Sequence, residues 1–291
     1  MEVVELLTLY KISYNNRRIV MKKIISLFLF LCFVLPVPCS AAADPVDKKL
    51  QVLEYEIGVP AQYLNRLEEY EIDRLYALSQ TRSISFGGGE YTCLSEAGTA
   101  EPYGTIPTSD MILDTFSIIV ESDRKVNNRN VIDYIIVYVD YEWTLGHPII
   151  HKEDAISVNW DSDLFMFEPD SFKSSDYYYN TNTKRWEGGP AFSDPAKLNQ
   201  GGLGYFANLS KYTMPEAYIG GFKGSATFTL LPKSNIFSGN DCKTAINIEY
   251  VHNKTAALGS LSFVYSGFGV SITTSMLTDS VGKALAVHYS K

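Results

Sequence analysis

The chain has 291 residues, and its 33 acidic against 25 basic residues give a formal net charge of −8. An acidic protein of this kind is repelled by nucleic acid and by anionic lipid, so we predict no nucleic-acid partner and anionic lipid is a poor candidate. The length suits one domain with a sizeable core, or one domain with a small appendage.

The N-terminal stretch has the layout of a bacterial secretory signal peptide. Met21 opens a basic start, an apolar run follows from Ile24 to Leu35, and small residues at positions 41–43 precede Asp44. The run is too short for a membrane-spanning helix, so we predict cleavage before Asp44, a secreted protein and no stable membrane anchor. Residues 1–20 then precede the true start and residues 21–43 are the signal peptide. Cleavage removes two acidic and five basic residues, which changes the net charge from −8 to −11.

Two cysteines, Cys93 and Cys242, remain after cleavage. An oxidising compartment favours one long-range disulfide between them, and two free buried thiols are the alternative.

Residues 44–82 carry apolar side chains at helical spacing in two runs. The first follows Asp44-Pro45 and ends at Gly58, and the second begins at Pro60. Because the apolar positions form one stripe on each run, we predict an amphipathic helical hairpin that packs on a sheet. The apolar positions in question are Val46, Leu50, Leu53, Ile57, Leu64, Leu67, Leu75 and Leu78.

From residue 83 to the end, alternation with a period of two predicts strands. The stretch 132–143, IDYIIVYVDYEW, is apolar on both faces where it starts, which predicts a central, buried strand. Residues 161–215 lack regular alternation and predict a long irregular insertion. The fold class is therefore mainly β (α+β): an antiparallel β-sandwich or barrel-like domain over 83–291 with an N-terminal helical hairpin. Further strands are predicted at Ile84, 91–93, 115–121, 155–160, 222–230, 245–251, 258–264, 270–274 and 285–289.

Metal sites have two weak candidates. His147 and His151, near Asp154, are four residues apart, but Pro148 argues against a shared helix. On a strand the two would lie about 13 Å apart, which is too far for one zinc ion. Asp161 and Asp163 resemble the start of a calcium loop that then departs from the EF-hand pattern, so we predict no cofactor, with Ca²⁺ as the alternative.

Catalytic motifs are weak, and the catalytic residues stay unknown. Glu142 and Glu249 could act as paired carboxylates of a hydrolase if the fold brought them together. Ser225 lacks the second glycine of a nucleophile elbow, and Cys93 has Cys242 as a competing disulfide partner.

Aromatic residues are concentrated in the insertion, at Tyr177-Tyr178-Tyr179 and Trp186. Flat aromatic faces match the apolar faces of sugar rings and are enriched at interfaces, whereas the alternative is that they fill the underside of a loop. We predict Tyr178, Tyr179 and Trp186 as binding residues.

These features favour a secreted bacterial protein that binds an extracellular or cell-surface ligand without catalysis, with carbohydrate as the suggested ligand. A secreted hydrolase with paired carboxylates is the alternative. A second alternative is a pore-forming toxin that inserts a β-hairpin, because Ser225, Thr227 and Thr229 alternate with apolar residues as lumen-facing positions do.

Overall fold

The computed structural model describes residues 45–90, 111–143, 153–188, 194–208, 219–236, 242–253, 261–274 and 278–289. The predicted signal peptide, His147, His151 and Cys93 lie outside these ranges, and so does the side chain of Cys242. The predicted disulfide and the predicted strand at 91–93 therefore lie outside the described residues. Within the described ranges, no helix has the length and apolar character needed to cross a bilayer.

Three short helices precede the strands. Helix α1 (Val46–Gln51) runs into a π-helical turn (Val52–Glu56). After Gly58, which has a positive φ of 84° as a helix-ending glycine should, come α2 (Ala61–Leu64) and α3 (Glu69–Thr81). The second predicted helix is thus two helices, because the backbone N–H of Glu68 donates to the Glu71 carboxylate (3.0 Å) and starts a new helix there.

Fourteen strands follow in the part of the chain that the structure describes, and every pairing among them is antiparallel. Their bounds are β1 Ile84–Glu90, β2 Met111–Glu121, β3 Ile132–Trp143, β4 Glu153–Asn159, β5 Phe165–Phe167, β6 Lys173–Asn180, β7 Arg185–Gly188, β8 Lys197–Asn199, β9 Gly202–Asn208, β10 Ile219–Pro232, β11 Cys242–Asn253, β12 Leu261–Ser266, β13 Gly269–Thr274 and β14 Thr278–Tyr289.

The strands form two large sheets and one hairpin. The first sheet has the order β1-β2-β3-β10-β6-β7, with β5 also paired to β10, and the second has the order β14-β11-β4-β9-β8. The β12–β13 hairpin packs on the second sheet through Leu261, which is buried with Ala155 and Val251. The predicted fold class, an antiparallel sandwich with N-terminal helices, is confirmed.

Strand β3 is central, as its sequence predicts, and both of its faces are buried. One face contributes to the core between the two sheets, where it meets residues of β4, β11 and β14. The other face packs under the helices, where Tyr138 stacks on Phe116 at 4.5 Å between ring centroids and Tyr63 of α2 lies 5.0 Å from Phe116. The residues of β3 in the inter-sheet core are Ile135, Val137, Val139, Tyr141 and Trp143.

Gly89 of β1 lets the helices approach the sheet this closely. A Cβ at this position would lie 2.4 Å from the Tyr63 hydroxyl oxygen, well inside van der Waals contact. The absent side chain is therefore a requirement of the helix–sheet packing.

The insertion predicted to be irregular contains the five strands β5 to β9. Strand β6 shows why the pattern is hidden: its buried positions include Ser174 and Asp176, at 5% and 4% exposure, so no apolar alternation is visible. Polar residues of β10 are buried as well. Thr227 and Thr229, which the sequence suggests for a wet face, are 4% and 3% exposed.

Packing of the helices on the sheet can be tested with Leu75→Ala in α3. Leu75 is fully buried, so its truncation leaves a cavity and should lower the free energy of unfolding by about 2–5 kcal/mol. Urea denaturation followed by circular dichroism measures the change. Leu198→Ala is the matched control, since Leu198 is 41% exposed and its truncation should change stability by less than about 0.5 kcal/mol. Equal effects at the two positions would contradict the packing described above.

Candidate functional site

A pocket of about 230 Å³ opens on the outer face of the first sheet, beside the helices. One wall is the segment between α2 and α3, with Asn65, Arg66 and Glu68. Trp186 of β7 forms part of the opposite side. The floor comes from β3, β10 and β6, with Asp140, Tyr141, Glu142, Lys223, Gly224, Ser225 and Tyr177.

Strand register brings the polar floor residues together. Lys223 of β10 is paired with Glu142 of β3 on one side and with Tyr177 of β6 on the other. In the next row, Ser225 is paired with Asp140. Because residues two apart share a face, these rows form a continuous polar surface on the side of the sheet away from the inter-sheet core.

Both cations of the pocket contact carboxylates. Arg66 lies between two of them, with Nε 2.8 Å from Asp114 Oδ2 and Nη1 3.5 Å from Glu142 Oε2. Lys223 Nζ lies 3.2 Å from Glu68 Oε1. The paired charges hold these side chains in place and keep their remaining donor and acceptor atoms directed at the pocket.

Aromatic rings surround the Lys223 ammonium. Its Nζ is 5.2 Å from the ring centroid of Tyr177 and 5.2 Å from that of Trp186. This is the distance range of cation–π attraction. Trp186 nevertheless remains 37% exposed, so part of its ring is open to solvent at the rim of the pocket.

Asp140 is the unusual member of the site. Its side chain is 5% exposed, and its Oδ2 has no hydrogen-bond partner among the described residues. Burial, with the nearby Glu71 and Asp114 carboxylates, raises the pKa of Asp140 well above its usual range, and Arg66 and Lys223 oppose the effect only in part. Burial also raises the pKa of Glu71. Asp140 is therefore a carboxylic acid held without its own counterion.

The predicted binding residues lie on two faces of the β6–β7 hairpin. Tyr179 and Trp186 are directly paired and share a face, with ring centroids 5.6 Å apart in an edge-to-face arrangement. Tyr178 points the other way, packs against the inter-sheet core and donates its hydroxyl to Glu187 of β7. Tyr177, which sequence reasoning did not select, is the tyrosine that lines the pocket. Strand alternation around 177–179 groups Tyr177 with Tyr179 on one face, and only the pairing of β6 with β10 places Tyr177 beside Lys223.

The two glutamates suggested as a catalytic pair do not meet. Glu142 is on the outer face of the first sheet, in the pocket. Glu249 alternates with Ile248 and Tyr250, which lie in the inter-sheet core, so Glu249 is on the outer face of the second sheet. Two packed sheets are about 10 Å apart, and the core between them separates these carboxylates.

The remaining sequence candidates have other contacts. Asp161 accepts a hydrogen bond from the backbone N–H of Asp163 (2.9 Å), and both residues are exposed in a turn. Asp154 is fully buried between the sheets, where it accepts hydrogen bonds from the Tyr250 hydroxyl and the Asn253 backbone (3.1 Å). His252 Nδ1 is 2.9 Å from the same carboxylate.

The state of Asp140 can be tested through the pH dependence of stability. A raised pKa in the folded state means that the folded chain binds more protons than the unfolded chain above the usual Asp pKa of about 3.9, so stability falls as pH rises. Asp140→Asn removes the titrating carboxyl group, and with it the loss of stability that this group causes as pH rises. We expect the variant to gain stability relative to wild type between pH 4 and pH 7, measured by urea denaturation at each pH.

Asp170→Asn is the control for this measurement, because Asp170 is exposed. Its stability relative to wild type should change less over the same pH range. A stability difference for Asp140→Asn that is constant with pH would contradict the counterion-free state of Asp140.

Comparison with known proteins gives only distant similarity. No protein-family model matches the chain, and no curated protein matches it. Similar solved structures include the C-terminal domain of the Streptococcus agalactiae AgI/II polypeptide BspA, with a TM-score of 0.30, and a mutant of BspA, with a TM-score of 0.29. Both are 8% identical to this chain and align with 61% of it. The chain spans 58% and 54% of their respective lengths, and a likeness this small carries no argument about function.

Proposed function

We propose that this chain is a secreted, non-catalytic binding protein and that the pocket beside Trp186 receives a carbohydrate at the cell surface. The observation that carries the proposal is the exposed Trp186 ring next to a wall of charge-paired polar side chains. Sugars combine an apolar ring face with a rim of hydroxyl groups. This site offers an aromatic surface for the apolar ring face and hydrogen-bonding groups for the hydroxyls.

The polar groups suit hydroxyls because they supply both donors and acceptors. Arg66 and Lys223 present N–H groups, while Glu68 and Glu142 present carboxylate oxygens. Each of these charged side chains already contacts an opposite charge. A sugar hydroxyl can therefore bind there without having to neutralise a buried charge.

The size of the pocket limits what can enter. At about 230 Å³ it is smaller than the roughly 300–1,000 Å³ typical of sites for drug-sized ligands. We therefore propose that one ring of a longer glycan enters and that the rest extends along the rim, over Tyr179 and Trp186. Tyr178 would support this rim indirectly, since its hydroxyl holds Glu187 on the strand that carries Trp186.

Hydrolysis is the second candidate, favoured by one observation. Asp140 and Glu142 are two residues apart on the same face of β3, about 7 Å by strand rise, which is within the range of paired glycosidase carboxylates. Against it, Arg66 pairs with Glu142, and an ion-paired carboxylate is less available as a base or nucleophile. Release of reducing sugar from a bound glycan would favour this candidate over simple binding.

The binding proposal can be tested with Trp186→Ala. Loss of a central aromatic contact costs about 2 kcal/mol or more, so we expect affinity for a bound glycan or cell-wall preparation to fall by about 30-fold or more. A glycan array identifies the ligand and isothermal titration calorimetry measures the affinity.

Phe268→Ala is the matched control, because Phe268 is an aromatic residue that is 67% exposed on the β12–β13 hairpin, away from the lining of the pocket. It should bind as wild type does. Equal glycan binding by wild type and Trp186→Ala would refute the proposed site.

A further inference from the structure

We propose, resting on the carbohydrate-binding function above, that the pocket selects sugars carrying a free primary ammonium group, which would pair with the Asp140 carboxylate. The inference begins with a buried acid that lacks a partner. Asp140 lines the pocket, is 5% exposed and has an Oδ2 without a hydrogen-bond donor among the described residues. Buried polar groups are normally satisfied, so a ligand donor is the missing partner.

The charge balance around Asp140 selects the kind of donor. Three cations, Arg66, Lys223 and the exposed Arg74 that acts on Glu71, face five carboxyl groups, and Arg66 and Lys223 are already in contact with other carboxylates. An acidic sugar or a phosphate would add negative charge to this surplus and is excluded. An ammonium group would instead reduce the surplus of negative charge. The charged groups around Asp140 are Glu71 of α3, Asp114 of β2, Glu142 of β3, Glu68 and Arg66 of the segment before α3, and Lys223 of β10.

Lys223 shows that the surroundings accommodate an ammonium group. Its Nζ lies between the Tyr177 and Trp186 rings, at 5.2 Å from each centroid, and on the Glu68 carboxylate. Aromatic faces with carboxylates are the usual protein environment for an organic cation. Lys223 does not lie within ion-pair distance of Asp140, so the acid stays available to a second cation from the ligand.

Binding of an ammonium group should be linked to proton release. Because burial and the neighbouring carboxylates raise its pKa, Asp140 carries its proton in the free protein over a wider pH range than an ordinary aspartate does. Pairing with a cation favours the ionised carboxylate, so the proton leaves as the ligand enters. An uncharged sugar would not produce this release.

Two oligosaccharides of equal length separate the alternatives: the glucosamine tetramer, with free amines, and the N-acetylglucosamine tetramer, in which acetylation removes the charge. At pH 6 we expect wild-type protein to bind the glucosamine tetramer at least about tenfold more tightly, since hydrogen bonds to charged groups contribute about 1.5–3 kcal/mol. Titration calorimetry in buffers of different ionisation enthalpy, repeated at pH values from 4 to 7, should show proton release for the glucosamine tetramer alone in the pH range where free Asp140 keeps its proton.

Asp140→Asn should abolish the preference for the glucosamine tetramer and the proton release, because the amide of asparagine cannot ionise. The buffer comparison uses wild-type protein, so the test does not depend on the variant being folded. Three outcomes would overturn this inference: equal affinity of wild type for the two tetramers, absence of proton release, or a preference that persists in Asp140→Asn. None of the three would contradict the proposed carbohydrate-binding function. Binding of neither tetramer, with no other glycan bound on an array, overturns both.

Discussion

Burial of strand β3 on both of its faces is the constraint on which this structure depends. Its odd-numbered residues from 135 to 143 lie in the core between the sheets, and Ile136 and Tyr138 lie beneath the helices. A strand buried in this way has no fully solvent-exposed face for polar residues. When its sequence turns polar at Asp140 and Glu142, the surrounding elements must satisfy those carboxylates or the fold loses free energy.

Arg66 meets that requirement for Glu142. It lies between Asp114 and Glu142 and ties the segment after α2 to two strands of the first sheet. Removing one member of such a buried pair leaves an uncompensated charge, which typically costs about 3–5 kcal/mol. The pocket therefore arises where the helical cover ends and charge pairing replaces apolar packing. Asp140 lies at this boundary, where its Oδ2 has no hydrogen-bond partner among the described residues and Arg66 and Lys223 offset its charge only in part.

Much of this architecture could be predicted from the sequence. Alternation over residues 132–143 identifies β3 with the bounds that the structure has, and the apolar stripes of residues 46–78 predict helices on the sheet. Strand β6 could not be predicted, because its inner face buries Ser174 and Asp176 through contacts made at long range. Asp176, for example, accepts a hydrogen bond from the Tyr141 hydroxyl (2.6 Å) of β3, which no local pattern encodes.

The site was predictable only in part for the same reason. Clustering of aromatics predicts a candidate binding surface near Trp186, but the choice among three consecutive tyrosines needs the strand register. Glu142 and Lys223 are far apart in the chain, and only the β3–β10 pairing makes them neighbours. Register of this kind depends on tertiary contacts across the whole sheet.

Gly89 gives strand β1 an influence on a surface that it does not touch. The ring of Tyr63 occupies the space above Gly89, and Tyr63 precedes the pocket wall at Asn65 and Arg66 by two and three residues. A side chain at position 89 would displace the Tyr63 ring, which α2 carries just before that wall. The width of the pocket could therefore differ between related proteins through the residue at position 89 alone, with every lining side chain unchanged.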